Sequence, residues 1–259
     1  MAPSTVNRQP SAAGERKRLG ILGGGRAAWA YGSAWRRIGW PIAGVWLREE
    51  SQSRLPALLD APRRSIDELA READLLLVAV SDRAISHVTD RIPPTEAIVF
   101  HASGSLTAVR DGFSLHPLKS LPPPGEPSDL RDTLLVFEGA HRKVAEGIAS
   151  AVGARFAAID PERKARYHAG AVFGSNYVAA MLDIAEELIG IENARADLLA
   201  LAASAMSNWR AHADARRFTG PAVRGDRETI ERHLAALRDD PELAELYRRL
   251  AARIVAAVR

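Results

Sequence analysis

Several short runs in this chain are hydrophobic at every position, where a half-exposed strand would alternate. LGIL inside RLGILG (18–23) and LLLV inside DLLLVAV (74–80) leave no face for water. As strands they need cover on both sides, which is the condition of a parallel sheet flanked by helices. The stretches between them have helical spacing, as in RAAWAYGSAWRRIG (26–39) and HRKVAEGIASAVG (141–153). PIAGVWL (41–47), EAIVFHA (96–102), TLLVFEG (133–139) and ARFAAID (154–160) complete six strands. SIDELAREA (65–73) opens with Ser65 and, three residues on, Glu68, the signature of a capping box. The alternation predicts an α/β fold with a Rossmann-type, mostly parallel sheet. The Pro-rich stretch SLPPPGEPSD (120–129) is a loop within it, because strand signals resume afterwards.

Beyond Pro161 strand signals stop. ERKARYHAGAVFGSNYVAAMLDIAEELIG (162–190) reads as one long helix, and three more helical segments follow up to Val258. The expected organisation is a polar, disordered lead-in over 1–17, a dinucleotide-binding domain over 18–160, and an all-α domain over 161–259 that serves substrate binding and dimerisation. Cysteine is absent, which excludes disulfides and thiolate chemistry. The formal net charge of +3 is scattered, so nucleic acid is not an expected partner. The longest apolar run, LLLVAV (75–80), is far too short to span a bilayer, and the N-terminus lacks the apolar segment of a secretory signal. A cytoplasmic location is therefore expected. No pair of histidines and acids has metal-ligand spacing, so no metal is expected.

The first strand runs into GGGRAA (23–28). Gly23, Gly25 and Ala28 fit the dinucleotide turn, with Arg26 and Ala27 opening the helix. Such a turn lets a pyrophosphate approach the backbone and meet the free N–H groups of the helix N-terminus. At the end of the second strand, VWLREESQSR (45–54) gives Arg48 where an acid would select NAD. An arginine there suits a 2′-phosphate, so NADP is the expected cofactor; Glu49 keeps NAD as the alternative. Ser81, in AVSD (79–82), closes the third strand beside the cofactor, while Asp82 is expected to cap the next helix.

His101, Ser103 and Ser105 in FHASGS (100–105) end the fourth strand, and His116 and Lys119 follow in SLHPLKS (114–120) at the mouth of an apolar strand. These polar groups converge where ligands bind in open α/β sheets, with His101 and Ser103 expected to touch the cofactor. A histidine there suits the proton transfer that accompanies hydride transfer. His168, Val172 and Asn176 share one face of the expected long helix at i, i+4 and i+8.

FHASGS, SLHPL, YHAGAVFGSNYV (167–178) and FTGPAVRGDRETIERHL (218–234) resemble the NADP-dependent reductase superfamily that includes pyrroline-5-carboxylate reductase and prephenate dehydrogenase. Within it the chain is most similar to a bacterial family pairing a Rossmann-like domain with a C-terminal helical domain of unknown function. In prephenate dehydrogenases a serine after strand four and the histidine of a His-Pro motif polarise the substrate hydroxyl; Ser103 or Ser105, and His116, match those positions. Related hydroxyacid dehydrogenases keep a lysine four residues before the asparagine. Here Val172 stands there, which turns the search to Lys119 and His168 as catalytic groups. The resemblance implies a substrate-holding loop carrying Thr219 and Arg224, with Asn176 completing the substrate pocket. Asp226 falls where a helix N-cap belongs. The implied function is an NADP-dependent oxidoreductase, a homodimer, acting on a small carbonyl, imine or hydroxy compound. The alternative is a dinucleotide-binding regulatory module without turnover.

Overall fold

In the computed structural model of the protein, residues 16–126 and 128–258 are described. The expected lead-in at 1–17 lies outside these residues, apart from Arg16 and Lys17. The chain divides into two compact units, Met1–Ser175 and Asn176–Arg259.

The first unit is built on a seven-stranded sheet of β1 (Leu19–Leu22), β2 (Ile42–Trp46), β3 (Leu75–Val78), β4 (Ile98–His101), β5 (Phe113–Pro117), β6 (Leu134–Gly139) and β7 (Arg155–Ala158). Its order is β2-β1-β3-β4-β5-β6-β7, and only the β5–β6 pair is antiparallel. Helices α1 (Arg26–Arg37), α2 (Leu55–Leu59), α3 (Ile66–Glu72), α4 (Asp82–Asp90) and α5 (Arg142–Val152) connect the strands, and α6 (Lys164–Phe173) closes the unit. β1 and β3 are buried at every residue, as their unbroken apolar sequence requires. One face packs against α1 and α5. A run of rings crosses it, Tyr31 to Phe100, Phe113, Phe137 and Phe156, with centroids 5.9, 4.9, 5.9 and 5.7 Å apart. The other face, with Leu22, Leu76 and Val78, packs against α3 and α4. The capping box of α3 forms as its sequence predicts: Ser65 Oγ accepts from the Glu68 N–H at 3.2 Å, and the Glu68 carboxylate accepts from the Ser65 N–H at 2.7 Å.

Two elements differ from expectation. The sequence gives six strands, whereas SLHP lies inside a seventh, β5, at whose mouth His116 was placed. Its apolar and polar residues alternate: Phe113, Leu115 and Pro117 lie on one face, and the buried Ser114 and half-buried His116 on the other. A period of two hides a strand from a search for unbroken apolar runs. The long helix of 162–190 is interrupted: α6 ends at Phe173, and α7 (Asn176–Ile189) begins three residues later, in the second unit. The Ser175 hydroxyl donates to the Ala171 carbonyl at 2.7 Å, competing with the helical ladder where Gly174 already weakens it.

The second unit contains α7, α8 (Arg195–Ala211), α9 (Pro221–Arg224), α10 (Arg227–Ala236) and α11 (Pro241–Val258). Asp226 caps α10 as expected, accepting from the Thr229 N–H at 3.0 Å. Among its described residues only Ala194, Leu198, Ala222 and Ala244 are buried apolar side chains. No described helix in either unit is long and apolar enough to cross a membrane.

Candidate functional site

The turn after β1 is shaped by contact with β3. Gly23 has φ +125°, and a Cβ there would lie 2.3 Å from the Ala79 carbonyl oxygen, so no side chain fits. Gly25, at the N-cap of α1, is less crowded, a Cβ there meeting only the Ala79 carbonyl oxygen at 3.9 Å, and no side chain caps the helix. The free N–H groups of the first turn thus face outward, as a pyrophosphate cradle requires. They border a cavity of about 920 Å³ at the point where the chain turns from one side of β1 to the other. Arg26, Ala27, Arg48 and Ser81, the residues expected at the cofactor, are among those that line it. The residues present fit a nicotinamide dinucleotide: a glycine cradle, a helix N-terminus, and basic side chains without an acid among the lining residues. Arg48 is exposed and pairs loosely with Glu50 at 3.6 Å, while Arg26 also donates to the Leu121 carbonyl at 3.0 Å.

Beyond Ser81 the chain is tied to the end of β4. Asp82, expected as a cap, is instead the first residue of α4, and Ser81 occupies the N-cap position. The Asp82 carboxylate accepts from Ser103 Oγ at 2.9 Å and Ser105 Oγ at 2.6 Å. Ser103 Oγ also accepts the N–H groups of Ser105 and Leu106. Its single hydrogen is therefore already used, and Ser103 braces the loop where a proton-handling role was expected. His101, expected at the cofactor, is fully buried and serves the same loop. Its Nε2 donates to the Thr107 carbonyl at 2.9 Å and its Nδ1 accepts the Ser103 N–H at 3.2 Å, so the ring is neutral. Burial holds its pKa below the usual histidine value.

The loop so braced presents Gly104 to two imidazoles. A Cβ on Gly104 would stand 2.5 Å from His168 Cδ2 and 2.9 Å from His116 Nε2. The two rings pack edge to face, 5.8 Å apart. His116 Nδ1 and Tyr167 Oη lie 2.6 Å apart in a hydrogen bond. Burial, then the neighbouring His168 and Lys164, holds His116 down to about 4, so its ring is neutral at pH 7. Burial pushes Tyr167 up to about 12, which keeps its hydroxyl protonated.

Lys164, absent from the sequence candidates, lies beneath this pair with 1% of its surface exposed. Its Nζ donates to the Ser103 carbonyl at 3.1 Å and to Ser114 Oγ, which in turn reaches the buried Glu138 carboxylate at 3.4 Å. Burial lowers its pKa to about 8 against the opposing pull of Glu138 and Asp82. Lys164, Tyr167 and His168 occupy i, i+3 and i+4 of α6, one face of one turn. That spacing was the available signal for Lys164 and Tyr167. Lys119 is not part of the cluster: it is exposed, and its Nζ donates to the Asp129 carbonyl at 2.5 Å. Asn176 begins α7, so it does not continue the His168 face. Thr219 and Arg224 are exposed residues of the second unit.

A doubly covered parallel sheet with a glycine turn at its switch point defines a Rossmann-like protein, and residues 4–112 match the model of the Rossmann-like domain. Residues 135–254 match the model of DUF2520, a domain of unknown function. The two matches follow one another along the chain, the Rossmann-like domain first and DUF2520 second. No curated protein matches it by sequence. Among solved structures it is similar to a provisionally assigned NADP oxidoreductase from Bacteroides fragilis, 24% identical, covering 93% of this chain and 98% of that one with a TM-score of 0.78. A reductive aminase from Aspergillus terreus in complex with NADPH and ethyl levulinate is 16% identical, with 93% and 94% covered and a TM-score of 0.66. Prephenate dehydrogenase from Aquifex aeolicus, in complex with hydroxyphenyl propionate and NAD+, is 17% identical, with 93% and 98% covered and a TM-score of 0.54. At these identities the likeness is one of fold.

Proposed function

We propose that the protein is an oxidoreductase that binds NADP in preference to NAD and passes a hydride between the nicotinamide and a small carbonyl, imine or hydroxy compound. One observation carries this reading. Ser81 lines the dinucleotide cavity, and the next residue, Asp82, is bonded to the loop that presents Gly104 to a neutral, partly buried His116. A cofactor site and a group able to handle one proton are thus joined through adjacent residues. The solved structures of like fold that bind NADPH or NAD+ support the same chemistry.

In the reducing direction the bound dinucleotide supplies a hydride to the carbonyl or imine carbon. The π-electron pair moves onto the oxygen or nitrogen, which takes a proton. Tyr167 donates its hydroxyl hydrogen to His116 Nδ1, which leaves the ring hydrogen on Nε2, the atom facing Gly104. His116 gives that hydrogen to the substrate while Tyr167 passes its own to Nδ1; a solvent proton taken up at Nε2 then lets Nδ1 return its hydrogen to Tyr167, which restores the starting state. The oxidising direction reverses each transfer. Lys164 fixes the Ser103 carbonyl, and with it the position of Gly104. Asn176, Thr219 and Arg224 are proposed to hold the substrate, and the location is proposed as cytoplasmic. The second unit is proposed to pair with a second copy. In that unit Ile191, Leu199, Leu201 and Trp209 are 59–68% exposed, large apolar side chains that a partner surface would cover.

Replacing His116 by Asn separates an enzyme from a binding module. The expected result is a loss of kcat of at least about 100-fold against a panel of ketones, imines and hydroxy acids, with cofactor affinity within about twofold of the parent. Cofactor binding without turnover of any compound, or full activity in His116→Asn, would sink the reading.

A further inference from the structure

The dinucleotide cavity has a second basic wall that the sequence motifs do not announce. Arg83, His87 and Arg91 stand at i, i+4 and i+8 of the α4 segment, on one face, and all three line the cavity together with Arg48. No aspartate or glutamate lines it. A cavity with four arginines and a histidine and no acid is built for a ligand with more than one anionic group. The far end of this wall is also ordered. The Arg91 guanidinium lies over the Trp46 ring, 5.2 Å from its centre, at the carboxyl end of β2. That strand end is where the adenosine ribose lies in such folds, whereas Arg83 begins the wall two residues after Ser81, beside the glycine turn. The two arginines are eight residues apart, roughly 12 Å along a helix.

We infer that α4 is a specificity element for the cofactor: Arg91, held by Trp46, receives the 2′-phosphate together with Arg48, and Arg83 neutralises the pyrophosphate. This rests on the dinucleotide reading above and assigns its phosphate contacts. The ligand class is a nicotinamide dinucleotide carrying a ribose phosphate. Charge-assisted contacts with a dianion distinguish it from its unphosphorylated form, whereas contacts with the pyrophosphate do not.

The test is a titration of the full chain with NADPH and NADH, for the parent, Arg91→Ala, Arg91→Lys and Arg83→Ala, with circular dichroism to confirm folding. Arg91→Ala is expected to weaken NADPH about tenfold or more and NADH less than about threefold. Arg91→Lys should recover part of the NADPH affinity. Arg83→Ala should weaken both cofactors alike. Equal weakening of both by Arg91→Ala would reduce Arg91 to packing on Trp46 and overturn the assignment, as would no effect on either. Those outcomes leave the dinucleotide reading standing; a folded parent protein that binds neither cofactor would overturn both.

Discussion

Lys164 places an ammonium where almost no water reaches it. It stays there because two acceptors and a nearby carboxylate replace solvent, but burial still lowers its pKa from an ordinary 10.5 to about 8. The sign follows. Below pH 8 Lys164 is charged and holds the Ser103 carbonyl; as pH rises through 8 it loses that charge. We predict an alkaline limb near pH 8 in kcat/KM that is missing from Lys164→Met, and a profile flat to pH 9.5 in the parent would contradict it. Because the folded pKa is depressed, the unfolded chain binds more protons between pH 8 and 10.5. The stability of the parent relative to Lys164→Met should therefore rise over that window. Removing the Lys164 charge should also raise the titration midpoint of the His116 ring above about 4, followed by nitrogen NMR. In the sequence this lysine is marked only by its helical spacing to His168. It stands in the charged stretch ERKAR, which reads as a solvated helix start, and only the folding of α6 onto the strand ends buries it. Lys119 had the better address in sequence, next to His116, yet the strand end turns it to solvent.

Elements whose signal is local were legible. The capping box of α3 needs only Ser65 and Glu68, and it forms. Ser65→Ala is expected to cost about 1 kcal/mol, read as a lower urea midpoint with unchanged cofactor affinity. The glycine turn was legible from GGGRAA alone, although the Ala79 carbonyl that forbids a side chain at Gly23 comes from the distant end of β3. β5 and the break before α7 were not legible for different reasons. β5 is recognised by its neighbours: β4 on one edge, β6 on the other, and a row of aromatic rings on one face. In the helix, Gly174 and Ser175 weaken the ladder only slightly, and periodicity runs straight through them.

At the scale of the whole molecule, the fold class followed from pattern. The roles of the individual groups did not, because hydrogen-bond partners such as Asp82 come from distant segments. The second unit makes a separate prediction. Its exposed apolar side chains should be covered by a second copy, so light scattering is expected to give twice the chain mass, and Trp209→Glu, at a position 68% exposed, to shift the protein toward monomer. A monomer at all concentrations would contradict this. The most direct measurement is a calorimetric titration of the full chain with NADPH, beside the variant Gly23→Ala. The expected result is one site per chain in the parent and none in the variant, because any side chain at Gly23 collides with the Ala79 carbonyl and disrupts the cradle. No binding by the folded parent, or binding unchanged in Gly23→Ala, would contradict a dinucleotide site at this turn.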